Sequence, residues 1–159
     1  MATWPHPGPQ NDYLKSHALI LLRSFAHWTG RSLIDDPSLS ESEQAHQLFM
    51  APFAVLSHNT APDPIFNYAN RTSLKLFEFS WDELTALPSR QSAEPLHQDE
   101  RARLLAQVAR DGYVESHLGV RIAKSGRRFL IEKGLVWNLL DENGAYYGQA
   151  ATFSEWSFL

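Results

Sequence analysis

Hydrophobic periodicity changes twice along this chain, and the order of the changes is the strongest constraint on its fold. From about Asp12 to Thr29, Leu14, Ala18, Leu21, Leu22, Phe25 and Trp28 recur at helical spacing until Gly30 supplies a stop. After a linker from Asp35 to Leu39, Ser40 and Glu43 form a capping box ahead of Ala45, Leu48 and Phe49, and Pro52 closes this second helix. Two short strands follow, Phe53 to Ser57 and Ile65 to Tyr68, around a turn rich in Asn, Pro and Asp. Asn70 then caps a helix through Phe77, and Ser80 with Glu83 starts another that Pro88 ends. A longer helix runs from about Gln98 to Asp111 with Leu104, Leu105 and Val108 on one side. Beyond Gly112 lie strands Tyr113 to Ala123, Arg127 to Leu140 and Tyr146 to Phe153, joined by turns at Lys124-Ser125-Gly126 and Asp141 to Gly144. Two helices, two strands, three helices and three strands cannot be wound as a β-α-β series. The order requires an α+β fold with an antiparallel sheet of five strands.

At 159 residues the chain makes one domain, and it buries about 70% of its unfolded surface without needing a covalent staple. It divides into a Pro-rich tail at 1–11, expected to be disordered, a helical segment at 12–50 and a sheet-bearing domain at 51–159. With no cysteine, a disulfide framework, a thiolate nucleophile, a CxxC zinc site, an Fe–S cluster and c-type haem attachment are all excluded. Fourteen Lys and Arg against eighteen Asp and Glu give net −4 with no run of like charge, which disfavours nucleic acid and anionic membranes as partners. Met1 to Gln10 has neither a basic nor an apolar segment of the secretory kind, so a cytoplasmic location is expected.

Ile65, Tyr68 and Asn70, then Phe79, Ser80, Asp82, Glu83 and Leu84, then Lys124-Ser125-Gly126, set in this element order, resemble a PAS domain. The wording is closer still to the MEKHLA family of PAS-like domains. It is matched by Ala51-Pro52-Phe53, Leu56-Ser57-His58, Asp63-Pro64-Ile65 and Asn67-Tyr68-Ala69-Asn70-Arg71. It continues in Pro88-Ser89-Arg90, Ser92-Ala93-Glu94-Pro95, Gly119-Val120-Arg121-Ile122, Gly126-Arg127-Arg128-Phe129, Trp137-Asn138 and Gly148 to Phe153. The resemblance implies a five-stranded antiparallel sheet with short helices and one long helix on one face and the N-terminal helices on the other. It also implies a sensory domain that answers small molecules, light, redox state or partners. Compared with the flavin-binding light sensors of the PAS class, Ser89 falls at the reactive cysteine, and Arg121 and Ile131 fall at two flavin-binding asparagines. A hydroxyl cannot form the thioether adduct, and isoleucine offers a ring edge no hydrogen bond. Flavin photochemistry is therefore disfavoured. Arg90 falls where those sensors keep a phosphate-binding arginine, which leaves room for an anionic ligand.

Arg121 decides whether such a ligand has an anchor. If the hairpin turns through Lys124, Ser125 and Gly126, odd-numbered residues of both strands share a face, and Arg121 joins Phe129, Ile131 and Trp137 toward a cavity, with Tyr113 and His117 further along. A two-residue Ser125-Gly126 turn instead sends Val120 and Ile122 inward and Arg121 out. Hydrophobic pattern alone favours the second. The first leaves Val114, Leu118, Val120 and Ile122 as an apolar outer face for the N-terminal helix to cover. Both stay open from the residues.

Seven histidines show no HxH or HExxH spacing, so a metal or haem centre is disfavoured. Haem-binding PAS proteins use a histidine on the long helix, and here His97 is expected just ahead of it. His58 reads as bonding turn backbone beside Asn59 and Asp63. No glycine-rich phosphate loop or nucleophile elbow occurs, and Ser57-His58 and Ser92 near Glu94 match no known triad. Catalysis is thus disfavoured, and Glu94 is read as pairing with Arg90. Arg121, Lys124, Arg127, Arg128 and Lys133 read as a solvated basic rim. The expected function is non-catalytic binding of a small organic ligand, with an anion among the candidates, by Leu56, Ser89, Arg90, Ser92, Arg121, Ile131 and Trp137, with the signal passed to a separate protein. The competing expectations are a ligand-free interaction or dimerisation module, in which side chains fill the interior, and a small cavity enzyme.

Overall fold

The computed structural model describes residues 5–159. Helices α1 (Lys15–Thr29) and α2 (Glu41–Met50) precede strands β1 (Ala54–His58) and β2 (Phe66–Ala69), then helices α3 (Arg71–Phe77), α4 (Trp81–Leu84) and α5 (Pro95–Asp111). Strands β3 (Tyr113–Ser116), β4 (Gly119–Ile122), β5 (Arg128–Ile131), β6 (Gly134–Leu140), β7 (Tyr146–Phe153) and β8 (Ser157–Phe158) complete the order. The main sheet has five strands in the order β2-β1-β7-β6-β3, with every pairing antiparallel. This is the expected α+β architecture, and its local signals act as read. Ser40 and Ser80 both close capping boxes with Glu43 and Glu83. The Asn70 side chain accepts from Ser73 N and donates to the carbonyls of Leu48 and Phe53, joining α2, β1 and α3. Among the described residues, no helix is long and apolar enough to cross a membrane.

Two expected long strands are each broken. Tyr113 to Ala123 divides at His117-Leu118, and Arg127 to Leu140 divides at Glu132-Lys133, so that β4, β5 and β8 form a second, three-stranded sheet. Gly134 occupies the second break, where an added Cβ would lie 2.4 Å from Leu118 Cδ1. The bare backbone lets Leu118 pack across the junction.

Helices α1 and α2 cover one face of the main sheet. Leu21 and Phe25 pack there on Val55, Leu135, Trp137 and Leu139, and the Phe25 and Trp137 rings meet edge to face at 5.2 Å. Helices α3 and α5 close the opposite face, where Leu56, Phe77, Phe129, Ile131 and Val136 cluster with Val108. The N-terminal helices thus take the expected side, but the apolar surface beneath them differs from the one read. Val114 and Leu118 belong to the α5 side, because the breaks at residues 117–118 and 132–133 interrupt strict alternation.

The tail expected at 1–11 lies partly outside the described residues, at 1–4. From His6 onward the chain packs, with the His6 ring 6.0 Å from Phe49 and 5.8 Å from Trp81. Pro9–Asn11 form a 3-10 turn, and Asn11 Oδ1 accepts from Gly8 N and Leu14 N. Helix α1 starts at Lys15 rather than Asp12, because Asp12, Tyr13 and Leu14 hold φ of 50, 54 and 55°. Stacking of Tyr13 on His46 at 4.1 Å helps offset that left-handed run.

Candidate functional site

Between the main sheet, α5 and the β4–β5 hairpin lies a cavity of about 70 Å³. An engineered apolar cavity of about 150 Å³ holds one benzene, so this one has room for roughly three to five non-hydrogen atoms. Its wall is mostly apolar, with Leu56, Phe77, Leu104, Ile131 and Phe153 prominent, and Arg101 and Arg121 reach into it.

The hairpin register places Arg121. Ala123 N donates to Arg127 O at 2.9 Å and Gly126 has φ +91°, so the turn takes three residues, Lys124 to Gly126. Arg121 is then opposite Phe129, and Gly119 opposite Ile131. Arg121, Phe129 and Ile131 are buried together, whereas Val120 and Ile122 are half-buried. Of the two registers open from the residues, the first is present. The Arg121 Nη1 group donates to Val120 O at 3.0 Å.

Arg101 is the functional residue that the sequence reading missed. It occupies the position three before Leu104, four before Leu105 and seven before Val108, so a guanidinium sits on the inward-facing stripe of α5. That spacing was the available signal. Arg101 Nη2 donates to Ser89 Oγ at 2.9 Å. Burial, then the nearby Arg121 charge, lowers the Arg101 pKa to about 10, and burial lowers that of Arg121 to about 10 as well. Among the described residues neither guanidinium has a carboxylate within 4.0 Å. Glu100 and Asp63 offset the two charges only from a distance.

Behind Arg101 runs a chain of hydrogen bonds whose proton directions are fixed by its ends. Ser89 Oγ receives from Arg101 and gives its proton to His58 Nδ1 at 2.8 Å. The ring proton is therefore on Nε2, which donates to Gln149 Oε1 at 3.2 Å. Gln149 Nε2 donates to Leu105 O at 3.0 Å and Asn138 Oδ1 at 3.2 Å, and Asn138 Nδ2 donates to Val108 O at 3.0 Å. The carbonyl of Asn138 accepts from Trp28 Nε1 of α1 at 2.9 Å. Burial first, then the Arg101 charge, lowers the His58 pKa to about 4, so the ring is neutral at pH 7. His58 bonds side chains of two other segments, those of Ser89 and Gln149, not the turn backbone expected for it. Asn59 serves that turn instead, through Oδ1 to the amides of Ala61 and Ile65.

Of the residues expected to line the site, Leu56, Ser92, Arg121 and Ile131 do so. Ser89 stands one bond behind, between His58 and Arg101. Arg90 is elsewhere: it is half exposed and paired with Asp63 at 3.1 Å. Glu94, expected on Arg90, pairs with Arg128. Trp137 faces α1, because alternation slips at Glu132-Lys133 and Val136 takes the inward position. Tyr113, opposite Trp137, follows it away from the cavity. His97 falls inside the first turn of α5, which begins at Pro95, and lies 3.9 Å from Glu100. Among the described residues no group of three metal-ligating side chains converges. The basic rim resolves into pairs, Lys124 with Glu83 and Lys133 with Glu115, while Arg127 lies 3.4 Å over the Phe158 ring.

Comparison with known proteins agrees with this geometry at the level of fold. The family model described as MEKHLA domain matches residues 15–158. The homeobox-leucine zipper protein ATHB-14 of Arabidopsis thaliana is 29% identical over 173 aligned residues, covering 100% of this chain and 20% of that protein. HOX32 of Oryza sativa subsp. japonica is 24% identical and covers 86% of this chain and 16% of that protein. The chain thus spans a fifth or less of the curated relatives it matches. Among solved structures, a fungal LOV domain photoreceptor superposes with a TM-score of 0.58 at 16% identity, covering 92% of this chain and 99% of that one. The PAS domain of a protein from Colwellia psychrerythraea gives 0.57 at 14%, covering 69% and 90%.

Proposed function

The chain belongs to the MEKHLA domain family and has a PAS-type fold, and from that premise we propose that it is a non-catalytic sensory domain whose cavity binds a small anionic organic molecule. The observation that carries this is a pair of guanidinia, the buried Arg121 and the half-buried Arg101, in an apolar cavity with no carboxylate in contact among the described residues. Buried charges of like sign are costly to maintain without a partner. Charges held so at a cleft are a mark of a binding site.

The same geometry supports a way out for the signal. An anion that draws Arg101 shifts α5 and its bond to Ser89, and the His58-Gln149-Asn138 chain connects that movement to Trp28 on α1. Binding would select one packing of α5 and α1 over another, by no more than its differential affinity for the two. A protein partner that reads α1 and a cytoplasmic setting belong to this reading. The neutral His58, held from both sides, has no free ring nitrogen to serve as a base, which argues against catalysis.

The test is gentle purification, denaturation, and analysis of the released small molecules, with hydrogen exchange before and after release. A stoichiometric anion whose loss deprotects α5 and α1 supports the proposal. No released molecule, together with unchanged exchange, overturns it. A second reading, a dimerisation module, has its own observation: a groove of about 1000 Å³ beside β8, in which Phe53, Leu130 and Trp156 lie beside the charged Arg31, Glu132 and Lys133. Sedimentation across a concentration series, with Leu130→Asp as the disrupting variant, decides that reading.

A further inference from the structure

Resting on that reading, we propose that the ligand is a short-chain monocarboxylate of two or three carbons, its carboxylate held between Arg101 and Arg121 and its alkyl end against Leu56, Ile131 and Phe153. Three independent features of the cavity narrow the ligand to this class.

The first is the inventory of polar groups. Among the described residues, every uncharged side-chain donor in the wall is already committed. Ser92 Oγ donates to Ser89 O at 2.8 Å, and Ser57 Oγ donates to Asn67 Oδ1 at 2.6 Å and meets His17 Nε2 at 2.9 Å. His58 and Gln149 are used in the chain that leads to Asn138. A guanidinium carries five N–H donors, and Arg101 and Arg121 each spend one on the protein among the described residues. The wall therefore offers a ligand many spare donors, and among the described residues few spare side-chain acceptors, chiefly the lone pairs of Ser92 Oγ. A carboxylate, which accepts and never donates, matches that inventory. The ammonium of an amino acid would add a third positive charge beside the two guanidinia, and the hydroxyl of a hydroxy acid would have little beyond Ser92 Oγ to donate to.

The second feature is charge. Two guanidinia at one place exceed what one anion neutralises, but Glu100 lies near enough to favour the Arg121 charge. With Glu100 at the rim, and Asp63 already paired with Arg90 at 3.1 Å, one added negative charge brings the cluster to balance. A second carboxylate on the same ligand would have only the apolar wall to meet.

The third is size. About 70 Å³ accepts the whole of acetate or propionate, whereas a ring system or a long acyl chain would have to extend out of the cavity mouth. Inorganic anions fit the guanidinia too, yet they leave the apolar end unfilled. The difference between propionate and nitrate therefore reports whether that end contributes.

Titration calorimetry of the whole chain, stripped by dialysis, compares propionate, acetate, propionamide, lactate, hexanoate and nitrate. Propionate is expected to saturate one site and to bind at least tenfold more tightly than each of the last four. Arg101→Gln and Arg121→Gln should each weaken it by about ten- to hundredfold, the range of a charge-assisted hydrogen bond. Equal binding of propionamide or nitrate, or undiminished binding by both folded variants, overturns the inference. Ala151→Leu, which narrows the cavity without touching an arginine, should abolish propionate binding while circular dichroism is kept. If no short carboxylate binds but a different anion is released on denaturation, this inference falls and the broader reading stands. If neither is found, both fall.

Discussion

Replacing Arg121 by methionine should make the ligand-free protein more stable. Arg121 is charged in the unfolded chain and in the folded one, but burial lowers its folded pKa from 12.5 to about 10. Because each pKa unit corresponds to about 1.4 kcal/mol, holding the charge in place opposes folding by roughly 3 kcal/mol at neutral pH. The substitution also removes one hydrogen bond, from Nη1 to Val120 O, which is worth about 1 kcal/mol. Val120 is half-buried, so water can reach the carbonyl it leaves. Methionine is unbranched, resembles the arginine stem in length and packs against Phe129, the cross-strand partner. The net expectation is a gain of about 1–2 kcal/mol, or roughly 3–6 °C in Tm for a chain of this size. Urea unfolding followed by tryptophan fluorescence reads it as a higher midpoint at unchanged slope. Arg90→Met is the control. Its partner Asp63 is on the surface, so the midpoint should move by less than about 0.5 kcal/mol. A loss of 1 kcal/mol or more for Arg121→Met at unchanged slope would refute the reasoning. Arg121 would then be a structural arginine already satisfied by the fold, and the case for a ligand-ready cation would go with it.

Two other measurements bear on the groups around the site. His17 and His58 are both held neutral by burial, with pKa values lowered from 6.5 to about 4. Between those values the unfolded chain takes up protons that the folded chain refuses. The stability this brings is complete above pH 6.5 and is lost as pH falls toward 4. At pH 5 each histidine should have cost about 2 kcal/mol relative to pH 8, and a urea midpoint that stays flat between pH 7 and 5 would contradict the burial of both rings. Gly148 has φ +135° and an added Cβ would lie 2.1 Å from His58 O, so Gly148→Ala should lose more than about 3 kcal/mol or fail to fold. Gly144→Ala, strained at φ +77° but in open space, should cost about 1–2 kcal/mol by the same assay.

The legibility of the fold follows from where its signals are local. Caps at Ser40, Asn70 and Ser80, the stop at Gly30 and the left-handed Gly126 act within a few residues of themselves, and each element they bound is present. The site was legible only where one strand's parity sufficed. Ile131 faces inward in either register of the hairpin and Leu56 lies on the cavity side of β1, whereas Arg121 hung on the length of the turn, which the residues left open and the structure sets at three. Arg101 was passed over because a charged residue on an apolar stripe looks like a break in the pattern, when it is the pattern turned toward a cavity. His58, Ser89 and Gln149 meet across 31 and 91 residues of chain, and no local rule joins such distant partners. Arg90 and Trp137 were misplaced for separate reasons. A resemblance carried Arg90 to a ligand, and unbroken alternation carried Trp137 inward.

That broken alternation has a consequence for the cavity itself. Counting in twos from Phe129 and Ile131 brings residues 133, 135 and 137 to the same face, which would set Leu135 and Trp137 beneath α5. At Glu132-Lys133 both residues are exposed and the chain leaves one sheet for the other. When pairing resumes at Gly134, Leu135, Trp137 and Leu139 face α1, and Val136 faces the cavity. An indole is larger than the 70 Å³ that remains there, so without the slip Trp137 would fill the space that Arg101 and Arg121 share. The same interruption detaches β4 and β5 as a separate sheet, which brings Arg121 from the hairpin toward Arg101 on α5. One irregularity thus removes the largest side chain from the interior and brings the second charge to it. Its mark in the sequence is Glu132-Lys133-Gly134, two charges and a glycine inside an otherwise apolar run. Glycine within a strand signals a bulge or a close backbone approach rather than continuous pleating.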